Sequence, residues 1–445
     1  MTKATQITDQ QLKKFMEGYF TDQKMLAMTN ALSQADMTQV AYHSEAAAKM
    51  RHKFSVNIET MTATNQKSSG RCWLFAALNV LREKIGNENK IEFLELSQSY
   101  AAFWDKFERA NYFLESILDT ANLEINDRTV TSILQNGVHD GGQWDMFVNL
   151  VNKYGFCPKD AMPETVQSSN TNRMNQLVNE RLRKAAILMR KLSSEKASPN
   201  TIQSEKDAVL EEIFRFLVAC YGCPPETFDF EYMDKDKVYH VERCLTPLSF
   251  AEKYVGDTLT QTVSVIHAPT SDKPFNKTYT VQYLGNIVGG RDVLYLNLSM
   301  EELKSAVISQ LKAGEVVWFG SDVGKFGTKD GGIWDDKSLD FELLSGMHLD
   351  IQKGERLEYR DSAMNHAMVI TGVNLVDDNT TRWRIQNSWG DEKGDKGYYV
   401  MSDTWFNEFV YQAVVDKKYL GEKVKLLEQK PIVLTPWDPM GSLAD

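Results

Sequence analysis

The stretch Gln66-Lys67-Ser68-Ser69-Gly70-Arg71-Cys72-Trp73-Leu74-Phe75 changes character at one residue. Small and polar residues give way at Cys72 to an apolar run of helix formers reaching Leu81, so the pattern predicts a helix with Cys72 in its first turn. In a first turn the unpaired backbone N–H groups and the helix dipole favour negative charge. A thiol there ionises more readily, and the thiolate is the nucleophilic form.

Composition narrows what surrounds this helix. A chain of 445 residues has room for two or three domains, or for one large domain with insertions. Its 42% hydrophobic and 25% charged residues fit a soluble globular protein. Lys+Arg 50 against Asp+Glu 61 leaves a formal charge of -11, which argues against nucleic acid as a partner. The N-terminus lacks the apolar core of a signal peptide and no later run is long and apolar enough to cross a bilayer, so a cytoplasmic protein without a membrane partner is expected. Five cysteines, an odd number, do not form a disulfide framework. The segment before Cys72 is too short for both an inhibitory pro-segment and the support the site needs, so no zymogen of that kind is expected.

Along the chain, Thr8-Asp9-Gln10-Gln11 has the form of a capping box, followed by Leu12, Phe15, Met16 and Tyr19 at helical spacing. After the Cys72 helix, an aromatic-rich helix is predicted from Leu96 to about Leu118, with its rings in the core. Asp140-Gly141-Gly142-Gln143-Trp144 then opens a helix to Tyr154, the paired glycines allowing close backbone approach. Met174, Leu177, Leu182, Ala185, Ala186 and Met189 keep a helical period, and a second helical segment runs from Ile202 to Cys220. The two make a helical hairpin whose expected loop, Ser193 to Thr201, includes Pro199. Phe228, Phe230 and Tyr232, then Asp234-Lys235-Asp236-Lys237, then Val238, His240 and Glu242 predict a protruding β-hairpin. Ser299-Met300-Glu301-Glu302 caps another helix, and Val316 to Phe319, Val369 to Val373, Arg382 to Ile385 and Tyr398 to Met401 are short β runs. Helices first and strands last imply an α+β architecture. The expected division is an N-terminal arm (1–60), a helical lobe (61–160), a helical and β-hairpin insertion (161–250), a β-rich lobe (251–432) and a C-terminal tail (433–445).

Cys72 requires a base, and seven histidines are available. His366 stands at the start of an apolar strand, where a side chain can project into a cleft, and Asn387 follows at the end of the next strand. Adjacent strand ends would bring the two together. A helix-borne cysteine facing a sheet-borne histidine, with an amide to orient the imidazole, is what nucleophilic acyl transfer requires. Gln66 could add a side-chain N–H to the backbone N–H of Cys72 in an oxyanion hole, and Trp389 could shield the Asn387–His366 hydrogen bond. Read singly, a histidine before a strand is an ordinary structural residue and Asn-Ser-Trp-Gly an ordinary turn.

Together these residues resemble the papain-like cysteine peptidases, in which glutamine precedes Cys-Trp at this spacing and Asn-His-Ala and Asn-Ser-Trp-Gly follow in this order. The resemblance implies a two-lobed fold, a helical lobe carrying the cysteine and a β-rich lobe carrying histidine and asparagine. It implies oxyanion, nucleophile, base and orienting roles for Gln66, Cys72, His366 and Asn387, with Asp140, Gly141 and Gly142 as a wall pairing with the substrate backbone. The C-terminus from Pro436 to Asp445 resembles the bleomycin hydrolase and bacterial aminopeptidase C branch. In that branch the tail lies in the cleft and its terminal carboxylate meets the free amino group of a peptide, so residues leave one at a time from the N-terminus. Members can lose a terminal residue by self-processing, which leaves Ala444 or Asp445 as the mature end here. The branch implies a homohexamer with inward-facing sites and neither metal nor cofactor. Read from the residues alone, such a tail could equally be a frayed end.

The rival site is Cys220-Tyr221-Gly222-Cys223 with His240 and Cys244, a set of types that can hold zinc. Against it, the first pair closes a helix and His240 belongs to the hairpin. Gly285, Gly289 and Gly290 lack the ending of a phosphate loop and read as a turn. Asp322, Asp330, Asp335, Asp336 and Asp340 read as a solvated acidic loop. Cys157 is expected to be buried and inert. A papain-fold binding protein without catalysis is the non-enzymatic alternative, disfavoured by the presence of all four site residues and separable by labelling with a thiol-directed epoxide.

Overall fold

The structure, a computed structural model, describes residues 5–328 and 331–442. Its helical part is built on Cys72–Glu88, an almost wholly buried helix packed against the strand His366–Val376. Around it lie Gln98–Asp119 and Trp144–Tyr154, and outside these the antiparallel pair Asn172–Ser194 and Pro199–Tyr221. The aromatic run interlocks edge to face, as when Phe103 meets Trp104, Phe214 and Tyr221 at 5.1, 5.5 and 6.3 Å. Such pairs add stabilisation to the area they bury.

Two details of the helical pair differ from the sequence expectation. Leu177 lies 38% exposed while Val178 is buried, because the inward stripe on that turn falls one residue later. Pro199 belongs to the second helix and not to the loop. Ser198 caps that helix by accepting from the Thr201 N–H, and proline suits the first turn because it has no N–H to leave unpaired.

Among the described residues twelve strands join in one sheet. At its centre Val317–Ser321, His366–Val376, Asn379–Gln386 and Tyr398–Ser402 run antiparallel in sequence order, with His366 opposite Ser321 and Val369 opposite Gln386. Val410–Asp416 lies on the other side of Val317–Ser321 and leads to Thr262–Ile266, Tyr295–Asn297 and Lys277–Val281. The last strand, Ile432–Leu434, adds parallel to Lys277–Val281 and starts the C-terminal segment from the sheet edge. Helices Met300–Lys312 and Asp403–Phe409 cover a second apolar core on the sheet. The separate hairpin Phe228–Met233 and Tyr239–Leu245 buries Phe228 and Phe230 and leaves Tyr239 and Val241 outside.

Tryptophans tie the helices to the sheet. Trp318 donates from Nε1 to the Trp73 carbonyl at 3.2 Å, and Trp144 donates to Thr262 Oγ1 at 2.8 Å. The N-terminal helix Asp9–Thr21 has its capping box but buries none of its residues; Phe15, Met16 and Phe20 face outward.

Candidate active site

Cys72 is the first residue of its helix, and Arg71, which precedes it, makes no side-chain cap. The sulfur therefore sits where the orphan N–H groups point. The approach loop is pinned from several sides: Arg71 forms a fork on Glu164 at 3.1 and 2.8 Å, and Gly70 N–H donates to Asp140 Oδ2 at 2.9 Å. Gln66 Nε2 donates to Ser69 O at 2.7 Å and its Oε1 accepts from Ser388 Oγ at 2.6 Å. A carboxamide nitrogen carries two hydrogens, so one remains beyond the Ser69 bond.

The sheet register places the partners. His366 opens its strand, and the N–H of the next residue, Ala367, lies 3.4 Å from Cys72 Sγ. His366 Nε2 and Asn387 Oδ1 are 2.8 Å apart, both residues buried. The same Oδ1 accepts from the Ser388 backbone N–H at 2.8 Å. A main-chain N–H can only donate, so the atom facing the ring is oxygen and Nε2 carries its hydrogen. Nδ1 is then the nitrogen that can exchange a proton with a thiol. The Trp389 ring stacks on His366 at 4.9 Å and 29°.

The segment Asp140 to Gly142, expected from the sequence to form a glycine wall, is held from beneath. Asp140 is buried; its carboxylate takes Lys106 Nζ at 2.5 Å, Asn175 Nδ2 at 2.9 Å and the Thr171 hydroxyl, and its carbonyl takes Trp73 Nε1 at 2.5 Å. That carboxylate is thus spent on the protein's own interior. Burial works against its ionisation, but the Lys106 charge and the Asn175 and Thr171 hydrogen bonds outweigh it and hold the carboxyl below the usual range. Gly141 O accepts from Arg109, which is anchored on Asp105 at 2.7 Å. Gly142 lies so close to Trp73 that a Cβ would meet the indole at 2.4 Å.

The C-terminal segment reaches residues adjoining these groups. Ser442 O accepts from Gln143 Nε2 at 2.9 Å, and Ser442 Oγ donates to Met364 O at 2.7 Å. It therefore bridges the wall just after Gly142 and the loop just before His366. Ala444 and Asp445 lie outside the described residues, as does Asp330.

The acidic loop is not the solvated run expected. Asp322 and Asp335 are buried, and Asp322 holds the segment before His366, accepting from Asn365 Nδ2 at 2.6 Å and Ser362 Oγ at 2.7 Å. Sequence gave no signal for that role, because only the pairing of Ser321 with His366 brings Asp322 there. Cys157 is buried and its thiol is pushed up to about 12 by burial. Cys223 and Cys244 are exposed, while His240 stacks on Tyr232 and bonds to Asp234 at 2.8 Å. Among the described residues no group of three or more His, Cys, Asp or Glu side chains is placed to hold a metal ion. No described helix is long and apolar enough to cross a membrane.

A helix-start thiol beside a sheet-borne His–Asn pair, on this α+β scaffold, defines a papain-like cysteine peptidase. The chain belongs to the Peptidase C1-like family, whose model matches residues 6–441. Aminopeptidase C of Lactobacillus delbrueckii subsp. lactis is 47% identical over 422 residues, covering 94% of this chain and 93% of that protein. Human bleomycin hydrolase is 42% identical over 436 residues, 96% of each. The crystal structure of PepW from Lactobacillus rhamnosis matches with a TM-score of 0.96 at 47% identity, covering 99% of both chains. With these relatives over nearly its whole length, the chain is a cysteine-type aminopeptidase.

Proposed function

We propose that the enzyme removes N-terminal residues from peptides by acyl transfer through Cys72. The observation that carries this reading is the His366 Nε2–Asn387 Oδ1 bond of 2.8 Å, which orients the imidazole beside the helix-start sulfur. Cys72 gives its proton to His366 Nδ1 and attacks the first peptide carbonyl. The oxyanion takes the Cys72 backbone N–H and the second hydrogen of Gln66 Nε2. His366 protonates the leaving amine, a thioester remains, and water directed by the same imidazole releases the amino acid. Gly141 and Gly142 offer backbone groups to the substrate, and Trp389 keeps water from the His366–Asn387 bond.

The restriction to free N-termini is assigned to the tail residues up to Asp445, a reading supported by the bonds of Ser442 to Gln143, next to Gly142, and to Met364, two residues before His366. The tail's terminal carboxylate, at Asp445 or Ala444, would pair with the substrate ammonium. A cytoplasmic homohexamer is part of the same reading, with the helical and β-hairpin insertion (161–250) as its contact region, where Tyr239 and Val241 of the hairpin lie outward. The test is digestion of a free-amine peptide and its N-acetylated twin, with products read by mass. Stepwise loss from the free peptide alone is expected. Peptidase activity retained by Cys72→Ala would overturn the mechanism, and unchanged specificity after deletion of Leu443 to Asp445 would overturn the role of the tail.

A further inference from the structure

We propose that Lys273 and Asp438 form a latch fixing how deep the C-terminal segment enters the cleft, and so how strictly the enzyme is confined to free N-termini. The proposal rests on the reading of the tail as the element that selects the substrate's end.

Lys273 is an unusual place for a charge: its side chain is 2% exposed, and Nζ lies 2.8 Å from Asp438 Oδ2, itself 9% exposed. Lys273 Nζ also meets both oxygens of the neighbouring, solvent-facing Asp272 at 3.0 Å, so Asp438 is the buried one of its two carboxylate partners. A buried ammonium persists when it is satisfied in this way. The lysine is seated on a rigid base. Asn297, fully buried, donates to the Lys273 and Ala268 carbonyls at 2.8 and 3.0 Å and accepts from the Ala268 N–H at 3.0 Å. On the tail side, Asp438 Oδ1 accepts from the Met440 N–H at 2.8 Å and closes the turn Pro439–Gly441. One carboxylate thus grips the body with one oxygen and shapes the tail with the other. Two residues on, Met440 is buried and its carbonyl accepts from Tyr295 Oη at 3.0 Å. Ser442 then makes its bonds to Gln143 and Met364.

The consequence is geometric. The Lys273–Asp438 pair, the Tyr295–Met440 bond and the two Ser442 bonds act within five successive residues, so loosening the first shifts where Ser442 is held between Gln143 and Met364. On the reading of the tail proposed above, a segment held in one place presents the terminal carboxylate at high effective concentration. Slack at Asp438 spreads the same carboxylate over a larger volume, weakening its hold on a substrate ammonium and opening room for a blocked or longer N-terminus.

The test uses the full chain with Asp438→Asn, Lys273→Met and a reference deletion of residues 443–445, each assayed on a free-amine peptide and its N-acetylated twin. For Asp438→Asn we expect KM for the free-amine peptide to rise about tenfold with kcat within about threefold, as loss of effective concentration predicts. Turnover of the acetylated twin should rise in the same variant. A merely structural role would lower kcat for both peptides together and leave their ratio at the wild-type value. If the deletion raises acetyl-peptide turnover while both point variants keep the wild-type ratio and KM, the latch is wrong and the tail reading stands. If the deletion also leaves the ratio unchanged, the tail reading fails and the latch falls with it. Asp438→Asn keeps the shape of the site, so it carries the test if Lys273→Met does not fold.

Discussion

Asp322 Oδ1 accepts a hydrogen bond from Asn365 Nδ2 at 2.6 Å, so a buried carboxylate on the loop after one strand fixes the residue immediately before His366 on the next. Asn365 Oδ1 accepts in turn from the Val323 N–H at 3.0 Å, and Tyr411 Oη donates to Ser362 Oγ, the other partner of Asp322. The imidazole thus inherits its position from two sides, Asn387 through its ring and Asp322 through its backbone.

Replacing Asp322 with Ala should therefore act on chemistry more than on binding. A small misplacement of a catalytic group costs up to about 100-fold in rate, so kcat is expected to fall about 10- to 100-fold with KM changed little. Steady-state kinetics on a free-amine peptide would check this. A variant whose KM rises while kcat holds would show that Asp322 does not act through His366.

Lys106→Met should destabilise the protein strongly at neutral pH, because it leaves the Asp140 carboxylate buried without its cation. Breaking a buried pair in this way costs about 3–5 kcal/mol. The sign of the pH dependence follows from the causes. In the wild type Lys106 overcomes burial and holds Asp140 below its unfolded value, so the pair stabilises the fold above that value and the contribution fades as pH falls through the folded one. In the variant burial acts with less opposition, the carboxyl is raised, and the fold gains on acidification. Urea unfolding at pH 7 and pH 5 should show the gap between wild type and variant narrowing at the lower pH.

His267 gives a dependence of the opposite origin. Burial, followed by the charge of Lys353, pushes its imidazole down to about 4, against a raising hydrogen bond to Leu298 O. An ordinary histidine titrates near 6.5, so between about 6.5 and 4 the unfolded chain binds a proton that the folded one refuses. Stability from this group is full above that window and is lost as pH falls through it. Thermal unfolding from pH 7 to pH 5 should show a shallower fall in Tm for His267→Gln than for the wild type. Equal slopes would mean that His267 titrates normally in the fold.

Much of the site was legible because its parts are short local patterns. The switch from small polar residues to an apolar run sets Cys72 at a helix start, and the β runs around Asn365-His366-Ala367 and Asn387-Ser388-Trp389 end where the chain must turn. What supports these parts was hidden, since it depends on register between distant segments. Lys106 and Arg109 lie in a run whose aromatics mark it only as core, yet one turn of that helix brings both under the glycine wall. Asp322 sits among acidic neighbours that suggest solvent, and strand pairing alone turns it inward. Helical period places an inward stripe to within a residue, which is why Val178 and not Leu177 is buried.

Gly142→Ala should separate the wall from the nucleophile. The added Cβ would meet the Trp73 indole at 2.4 Å, and that ring cannot yield freely. Its Nε1 donates to Asp140 O, its own carbonyl accepts from Trp318, and Arg109 lies over its face at 5.7 Å. Either the glycine pair moves outward, spoiling the backbone pairing with substrate proposed for it, or Trp73 moves and shifts Cys72 beside it. The first outcome raises KM with kcat held, and the second lowers kcat and the rate of Cys72 alkylation together. Because overpacking in a tight interior costs about 1–3 kcal/mol, the protein should still fold, with Tm lowered by a few degrees. Measured kcat, KM and alkylation rate at one pH would distinguish the two displacements, and wild-type values for all three would show that the wall accepts a side chain at this position.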